Sequence, residues 1–365
     1  MNFDLNEEQS LLRDLIDRFA TDRYDAPKRL SYVRQPRGYC PQGWAMLADM
    51  GVLAFPFEED LGGFGGGNIE LITIMDAIGR AVAVEPLLSV IVMAGGIIDK
   101  AGTPAQREEW LPRLTSGETI ATVAHSEHAA RFDQRKITTK ATLAGDTWVL
   151  TGTKHMVPLA AFADVFVVSA ILPDGPTGLF LVTSDASGLR ATGYRMADGS
   201  VAGTLVLSDA PAEMMDGGQD ELDAMLGNAR LAICAELLGV MTMMFDATLD
   251  YIKTRSQFGQ TIGSFQAIQH RMADNYSLLE LSRSHLYRAA ALPADDPSRD
   301  TAIAGAKAYI STSATALGED AIQFHGGIGI TEELLVGQAF KRALLLASLL
   351  GDSDWEIRRY LAMTA

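Results

Sequence analysis

The sequence predicts an α+β chain in which a helical block, a small β-domain and a second helical block follow one another. Three observations predict it. Apolar residues recur every three or four positions up to about residue 118. β-Branched segments with short turns run from about Ile120 to Asp209. Helical spacing then returns from about Met225. The expected domains are 1–118, 119–210 and 222–365.

The first block opens on Asn6 and Gln9, spaced as a capping box. Glu7 and Glu8 fall in the first turn, and Leu12, Leu15, Ile16 and Phe19 lie along one face. Pro27, Gly62-Gly63-Phe64-Gly65-Gly66-Gly67, Pro86, Gly95-Gly96 and Gly102-Thr103-Pro104 then break the block into several helices. Segments 136–143, 147–153, 165–171, 178–183 and 204–208 read as strands. Gly145-Asp146, Pro173-Asp174-Gly175 and Asp198-Gly199 are the turns between them. No helix of useful length lies between these strands, which disfavours a doubly wound parallel sheet. In the last block Leu231, Cys234, Leu238, Met241, Phe245, Leu249 and Ile252 form one stripe. Ile303, Ala306, Ile310, Ala314, Leu317 and Ala321 form another, stopping at Gly326-Gly327 as a glycine cap would stop it. Such stripes are core far more often than ligand boxes. Ser353-Asp354-Trp355-Glu356 reads as the capping box of a final helix.

The chain has 365 residues, 48% of them hydrophobic, and a net charge of −16. That charge disfavours nucleic acid and anionic membranes as partners, so an anionic ligand needs local cations or backbone N–H groups. Two cysteines, Cys40 and Cys234, supply neither a disulfide framework nor a Cys-rich metal site. The start carries no basic-then-apolar leader, and the expectation is a soluble, cytoplasmic protein. His125, His128 and His155 have no metal-ligand spacing.

The joints between blocks are more specific. Gly51-Val52-Leu53, Gly62-Gly63-Phe64-Gly65 and Gly102-Thr103-Pro104 come first. Tyr251-Ile252-Lys253-Thr254-Arg255-Ser256-Gln257-Phe258-Gly259 follows, with Phe265-Gln266 after it, and then Gln323-Phe324-His325-Gly326-Gly327-Ile328-Gly329. In this order they resemble the acyl-CoA dehydrogenase family of flavoproteins, over nearly the whole chain. The resemblance implies an N-terminal α-domain, an antiparallel β-barrel-like middle domain and a C-terminal four-helix bundle. It also implies FAD as cofactor and an acyl-CoA as substrate. In that family the last two motifs form an arm that reaches the FAD of a neighbouring subunit, and the resemblance implies the same role here. Arg255 suits a pyrophosphate, and Phe258 suits an aromatic ring. Gln257, Gln266 and Gln323 suit ring or ribose edges, while Gly326 and Gly327 allow close backbone approach.

Two departures stand out. The family's Thr-Glu-Pro-x-x-Gly-Ser-Asp segment, which binds a subunit's own flavin, corresponds to Ser126–Asp133. Ser126 remains a flavin contact, but Arg131 and Phe132 replace Gly-Ser. The aromatic-Ile-Thr segment corresponds to Met156-Val157-Pro158, and Pro158 offers no donor. The family's catalytic Glu falls at Gly351 or Ala229, neither of which is a base; the adjacent Arg230 matches as a substrate contact. Glu236 and Asp352 are the substitute acids. The expected role is therefore the base-lacking subunit of a heteromeric acyl-CoA dehydrogenase, like those acting on steroid side-chain thioesters. The alternatives are a self-sufficient homotetramer using Glu236 or Asp352, and a flavin-free structural subunit.

Overall fold

In the computed structural model, which describes residues 5–365, α1 (Glu7–Arg23) begins where the Asn6–Gln9 spacing places it. The Gln9 N–H donates to the Asn6 side chain at 2.8 Å, and the Asn6 N–H donates to the Gln9 side chain at 2.9 Å. The first four residues of the acidic start lie outside the described residues. α2 (Ala26–Val33), α3 (Pro41–Asp49) and α4 (Asn68–Ala81) follow. The expected break at Gly95-Gly96 is absent. A π-helical run over Leu88–Gly95 passes straight into α5 (Gly96–Ala101), with α6 (Pro104–Thr115) after it. A Cβ on Gly95 would sit 2.7 Å from the Phe57 ring, so this glycine serves close packing rather than a turn.

Two compact units emerge, and they do not follow chain order. One holds the chain up to Tyr32, Gly67–Ala83 and Arg230–Ala365; the other holds Val33–Gly66 and Val84–Ala229. In the first unit, α7 (Gln219–Thr254) is followed by α8 (Gln266–Ala290), α9 (Arg299–His325), α10 (Leu335–Ser348) and α11 (Ser353–Thr364). α4 and α7 cross almost backbone to backbone. A Cβ on Gly79 would lie 2.2 Å from the Glu236 carbonyl, and one on Gly239 would lie 2.0 Å from that of Asp76. Small residues are the price of that approach. α7 is no single stripe, since Leu231 through Ala235 are all fully buried. Among the described residues it alone is long and apolar enough to cross a membrane. Yet 72% of its most apolar window is packed inside the protein, as in a core helix.

The final helix corrects the sequence reading. Asp352, not Ser353, is its N-cap, accepting from the Trp355 N–H at 2.8 Å. Glu356 cannot close a box because it is fully buried between two arginines.

The second unit carries one seven-stranded sheet. Its strands are β1 (Ala121–Ala124), β2 (Lys140–Ala144), β3 (Thr147–Pro158), β4 (Val165–Ile171), β5 (Thr177–Thr183), β6 (Leu189–Arg195) and β7 (Val201–Gly218). The order is β1-β4-β2-β3-β7-β5, with β6 on β7 and a further β4–β5 pairing. Two strands, β1 and β6, escape the sequence reading. β1 also breaks the antiparallel expectation, running parallel to β4 across Ala121↔Val165 to Ala124↔Val168. The chain between them contains the β2–β3 hairpin, which supplies the long crossover that parallel pairing needs. The β3–β7 ladder shifts register between Lys154 and Val157, and Met156 there is left-handed at φ 54°. This bulge lies inside the segment matched to the family's flavin contact.

Candidate active site

Three helix ends in the first unit carry the arm residues. α7 stops at Thr254, where the Arg255 N–H still donates to the Tyr251 carbonyl at 2.8 Å. The chain then forms a hairpin, β8 (Ser256–Gln257) on β9 (Gln260–Thr261). Its turn residues Phe258 and Gly259 are both left-handed, with φ 55° and 80°. That is the geometry matching the twist of the flanking strands, and it favours Asn-Gly rather than phenylalanine. The Phe258 ring is 91% exposed and touches Phe265 edge-on at 6.3 Å. Arg255 and Gln257 are exposed as well. The Arg255 guanidinium makes no ion pair or hydrogen bond with another described residue.

These ends converge through specific contacts. The Tyr251 ring stacks on His325 at 4.4 Å with an interplanar angle of 25°, joining the end of α7 to the end of α9. Arg271, five residues beyond Gln266 on α8, pairs with Asp320 on α9 and lies 5.0 Å over the Phe324 ring. Asn275 donates to the same carboxylate at 3.0 Å. Gln266 and Gln323 are exposed beside these ties. Gly326 is left-handed at φ 65°, and a Cβ built on it or on Gly327 would meet no atom within 4 Å beyond the adjoining chain. The helix ends thus present a cation, a bare ring, amides and open backbone together.

In the second unit the two segments matched to the family's own-flavin site meet over a buried polar cluster. Lys154 is fully buried, and its ammonium donates to Glu127 Oε1 at 2.8 Å, Ser169 Oγ at 3.2 Å and the His125 carbonyl at 3.2 Å. Glu127 also accepts from the backbone N–H and hydroxyl of both Thr138 and Thr139. Burial alone would raise the Glu127 carboxyl, but the Lys154 and Thr138 donors hold it at about 2. Burial pushes the Lys154 ammonium down to about 8. Burial, aided by Lys154, takes His125 to about 4, so its ring is neutral, with Nδ1 2.8 Å from Ser169 Oγ. His128 and His155 sit closer to the surface, their rings 5.7 Å apart. Ser126 is half-buried, and its carbonyl accepts from the His155 N–H at 2.8 Å. Arg131 is exposed in a left-handed conformation, φ 51°, that glycine takes freely. Among the described residues no group of three or more His, Cys, Asp or Glu side chains is arranged to hold a metal.

The folded-state carboxyl of Glu127 lies below its ordinary value of 4.5. Its stabilisation is therefore complete above that pH and is lost as the pH falls toward 2. Lys154→Met is expected to cost about 2–3 kcal/mol, less than most broken buried pairs because the threonine donors remain. It should also move acid unfolding to higher pH. Urea unfolding measured across the acid range checks both, and an acid limb that stays in place refutes the role given to the pair.

At the positions matched to the catalytic Glu the structure leaves nothing that titrates. Ala229 is fully buried. Gly351 has φ 138°, and a Cβ there would meet Glu356 Oε1 at 2.6 Å and the Trp355 ring at 2.8 Å. Arg230 is buried, its Nε donating to Glu356 Oε1 at 2.9 Å and its Nη2 to the Leu350 carbonyl at 3.2 Å. Glu236 is buried with its Oε1 2.7 Å from Arg342 Nε. Asp352 caps α11. Sequence reasoning overlooked Lys307, fully buried, which donates to the carbonyls of Leu346 at 3.1 Å and of Ala347 and Gly351 at 3.0 Å. A lysine inside an alanine-rich stripe was its only signal.

The N-terminal, middle and C-terminal domains of acyl-CoA dehydrogenase match residues 6–118, 122–209 and 216–363. The chain belongs to the acyl-CoA dehydrogenase family. It is 30% identical to a probable acyl-CoA dehydrogenase, YngJ of Bacillus subtilis, over 98% of each chain. It is 31% identical to mitochondrial isovaleryl-CoA dehydrogenase of Pongo abelii, over 97% of this chain and 88% of that one. Among solved structures, the Tcur3481-Tcur3483 steroid acyl-CoA dehydrogenase is 32% identical over 98% of each chain, with TM-score 0.91. The ChsE4-ChsE5 complex of Mycobacterium tuberculosis is 28% identical over 100% of this chain and 99% of that one, with TM-score 0.93. As an acyl-CoA dehydrogenase, the protein is an FAD-dependent oxidoreductase acting on the CH–CH bond of acyl-CoA.

Tested against FAD, the two halves of this acyl-CoA dehydrogenase differ. The helix ends fit: an unpaired guanidinium, a bare ring and a glycine pair with open space suit the adenosine-diphosphate end. The β-domain segment fits the isoalloxazine poorly. Pro158 has neither hydroxyl nor N–H to offer, and Met156 replaces a covering ring.

Proposed function

We propose that this chain is the base-lacking subunit of a heteromeric acyl-CoA dehydrogenase. Its partner, a second acyl-CoA dehydrogenase chain, supplies the carboxylate and carries most of the flavin. Arg255, Phe258, Gln323 and Gly327 hold the diphosphate and adenosine end of that flavin, with Gln257, Gln266 and Gly326 beside them. The reaction is α,β-dehydrogenation: a base takes the α-proton while FAD, when bound, accepts the β-hydride. The observation that carries the reading is the closure of position 351. Glu356 fills the space into which a side chain from that position would project, while the arm stays open.

The two-chain neighbours Tcur3481-Tcur3483 and ChsE4-ChsE5 support a heteromer, and the steroid class named for the first points to a bulky acyl group. The same reading treats the sheet as a barrel-like platform and the C-terminal helices as a four-helix bundle, with domains at 1–118, 119–210 and 222–365. It places the protein in the cytoplasm, in keeping with two buried cysteines that form no disulfide. Ser126 and Arg230 are secondary here, one a flavin-edge contact and the other holding Glu356. The self-sufficient alternative requires Glu236 or Asp352 to act as base, but the first is paired with Arg342 and the second caps a helix.

Isolation from native cells through a tag on this chain tests the proposal. The expected preparation is yellow and contains a second acyl-CoA dehydrogenase chain with a Glu at one of the two family positions. A fully active preparation of this chain alone overturns it, and a colourless one favours a structural subunit.

A further inference from the structure

We infer that the Tyr251–His325 stack is the positioning element that makes the three helix ends act as one arm, an inference resting on the FAD reading of Arg255 and Gly327. The residues that face outward cannot fix their own geometry. Arg255 is unpaired, the Phe258 ring is exposed but for its edge contact with Phe265, and a Cβ on Gly326 or Gly327 would meet only its chain neighbours. Their geometry comes from the turn behind each. The Arg255 N–H is bonded to the Tyr251 carbonyl, so the ring of residue 251 and the cation of residue 255 move together. His325 directly precedes Gly326, and its Nδ1 lies 2.8 Å from the Ala321 carbonyl, which locks the imidazole to the last turn of α9. The near-parallel stack at 4.4 Å then fastens one turn to the other.

The remaining ties run through α8: the Phe258 ring meets Phe265 beside its start, and the others bind α8 to α9. Arg271 and Asn275 on Asp320, with Arg271 over Phe324, fix the Gln266 side against the Gln323 side. Among the described contacts at these ends, the Tyr251–His325 stack is the one that ties the Arg255 turn directly to the glycine turn. Its burial is uneven: His325 is 6% exposed, while Tyr251 is half-buried at the rim. A dinucleotide gripped by a guanidinium on one turn and open backbone on the other depends on the spacing between them.

The test uses the assembly isolated through a tag on this chain, with whatever subunit accompanies it. The readouts are the rate at which bound FAD is lost on dilution and the melting temperature. Tyr251→Leu is expected to speed FAD loss about three- to tenfold with little change in melting temperature, as expected when one ring pair is lost. Tyr251→Phe, which keeps the ring, should restore retention. His325→Phe should do the same, which guards against a His325→Leu variant that fails to fold. Combining Tyr251→Leu with Arg255→Gln should cost less than the product of the two, since a mispositioned guanidinium has less to lose. If Arg255→Gln alone leaves FAD retention unchanged, the arm reading fails and this inference with it. If Arg255→Gln speeds loss but Tyr251→Leu does not, or does so only in step with a fall in melting temperature, the arm stands and the positioning role is overturned.

Discussion

Replacing Glu356 by Ala is expected to lower the unfolding free energy by about 3–5 kcal/mol, as when one partner of a buried charge pair is removed. The carboxylate has no exposure to solvent. Arg230 Nε lies 2.9 Å from one oxygen and Arg359 Nη1 2.6 Å from the other. Without it, Arg230 remains buried with the Leu350 carbonyl at 3.2 Å as a neutral partner. Burial already disfavours the charge on that guanidinium, lowering its pKa, and an arginine does not escape by deprotonation. Glu356→Gln should cost less, since an amide still accepts from one arginine. Urea unfolding of the three proteins decides it, and a loss under about 1 kcal/mol for Ala would mean that water enters and solvates Arg230. The same carboxylate makes Gly351→Glu a poor repair. It brings a second acid within contact of Glu356 at a backbone φ of 138°, so lowered stability and no new turnover are expected.

The sequence shows its local signals plainly and its long-range ones poorly. The Asn6–Gln9 box and the stop of α9 at Gly326 are short-range hydrogen-bond chemistry, legible from spacing alone. β4 falls where its valines and isoleucine place it. β1 and β6 are missed for different reasons. β1 is a four-residue strand with no alternation because both its faces are buried. β6 is exposed over most of its length, so neither shows the half-buried pattern. The last helix start is misread because Asp352 and Ser353 are both good caps. The choice falls to the burial of Glu356 by Arg230, a residue 126 positions away. The arm motifs are visible as residues, yet their meeting through Tyr251 and His325 is a tertiary fact. That positions 229 and 351 carry no carboxylate is legible in the sequence, but the surroundings of the nearby acids are not. Glu236 is paired with Arg342, and Asp352 caps α11, and both are facts of the folded chain.

Flavin reduction by acyl-CoA is expected to be about 10²–10⁴-fold slower for this chain alone, reconstituted with FAD, than for the assembly isolated with its partner, the usual contribution of a positioned general base. The α-proton of a thioester is weakly acidic, and its removal needs a carboxylate within hydrogen-bond reach of that carbon. Glu236 is recruited only by breaking its 2.7 Å contact with the part-buried Arg342 guanidinium. Asp352 is recruited only by uncapping α11, at about 1 kcal/mol. Glu356 is bound on both oxygens. Stopped-flow bleaching of the flavin with isovaleryl-CoA and a series of longer and bulkier acyl-CoA thioesters measures the ratio directly. Glu236→Gln and Asp352→Asn should leave the slow rate of the lone chain unchanged. A lone chain within about tenfold of the assembly, slowed by either substitution, would identify that residue as the base and make this subunit self-sufficient.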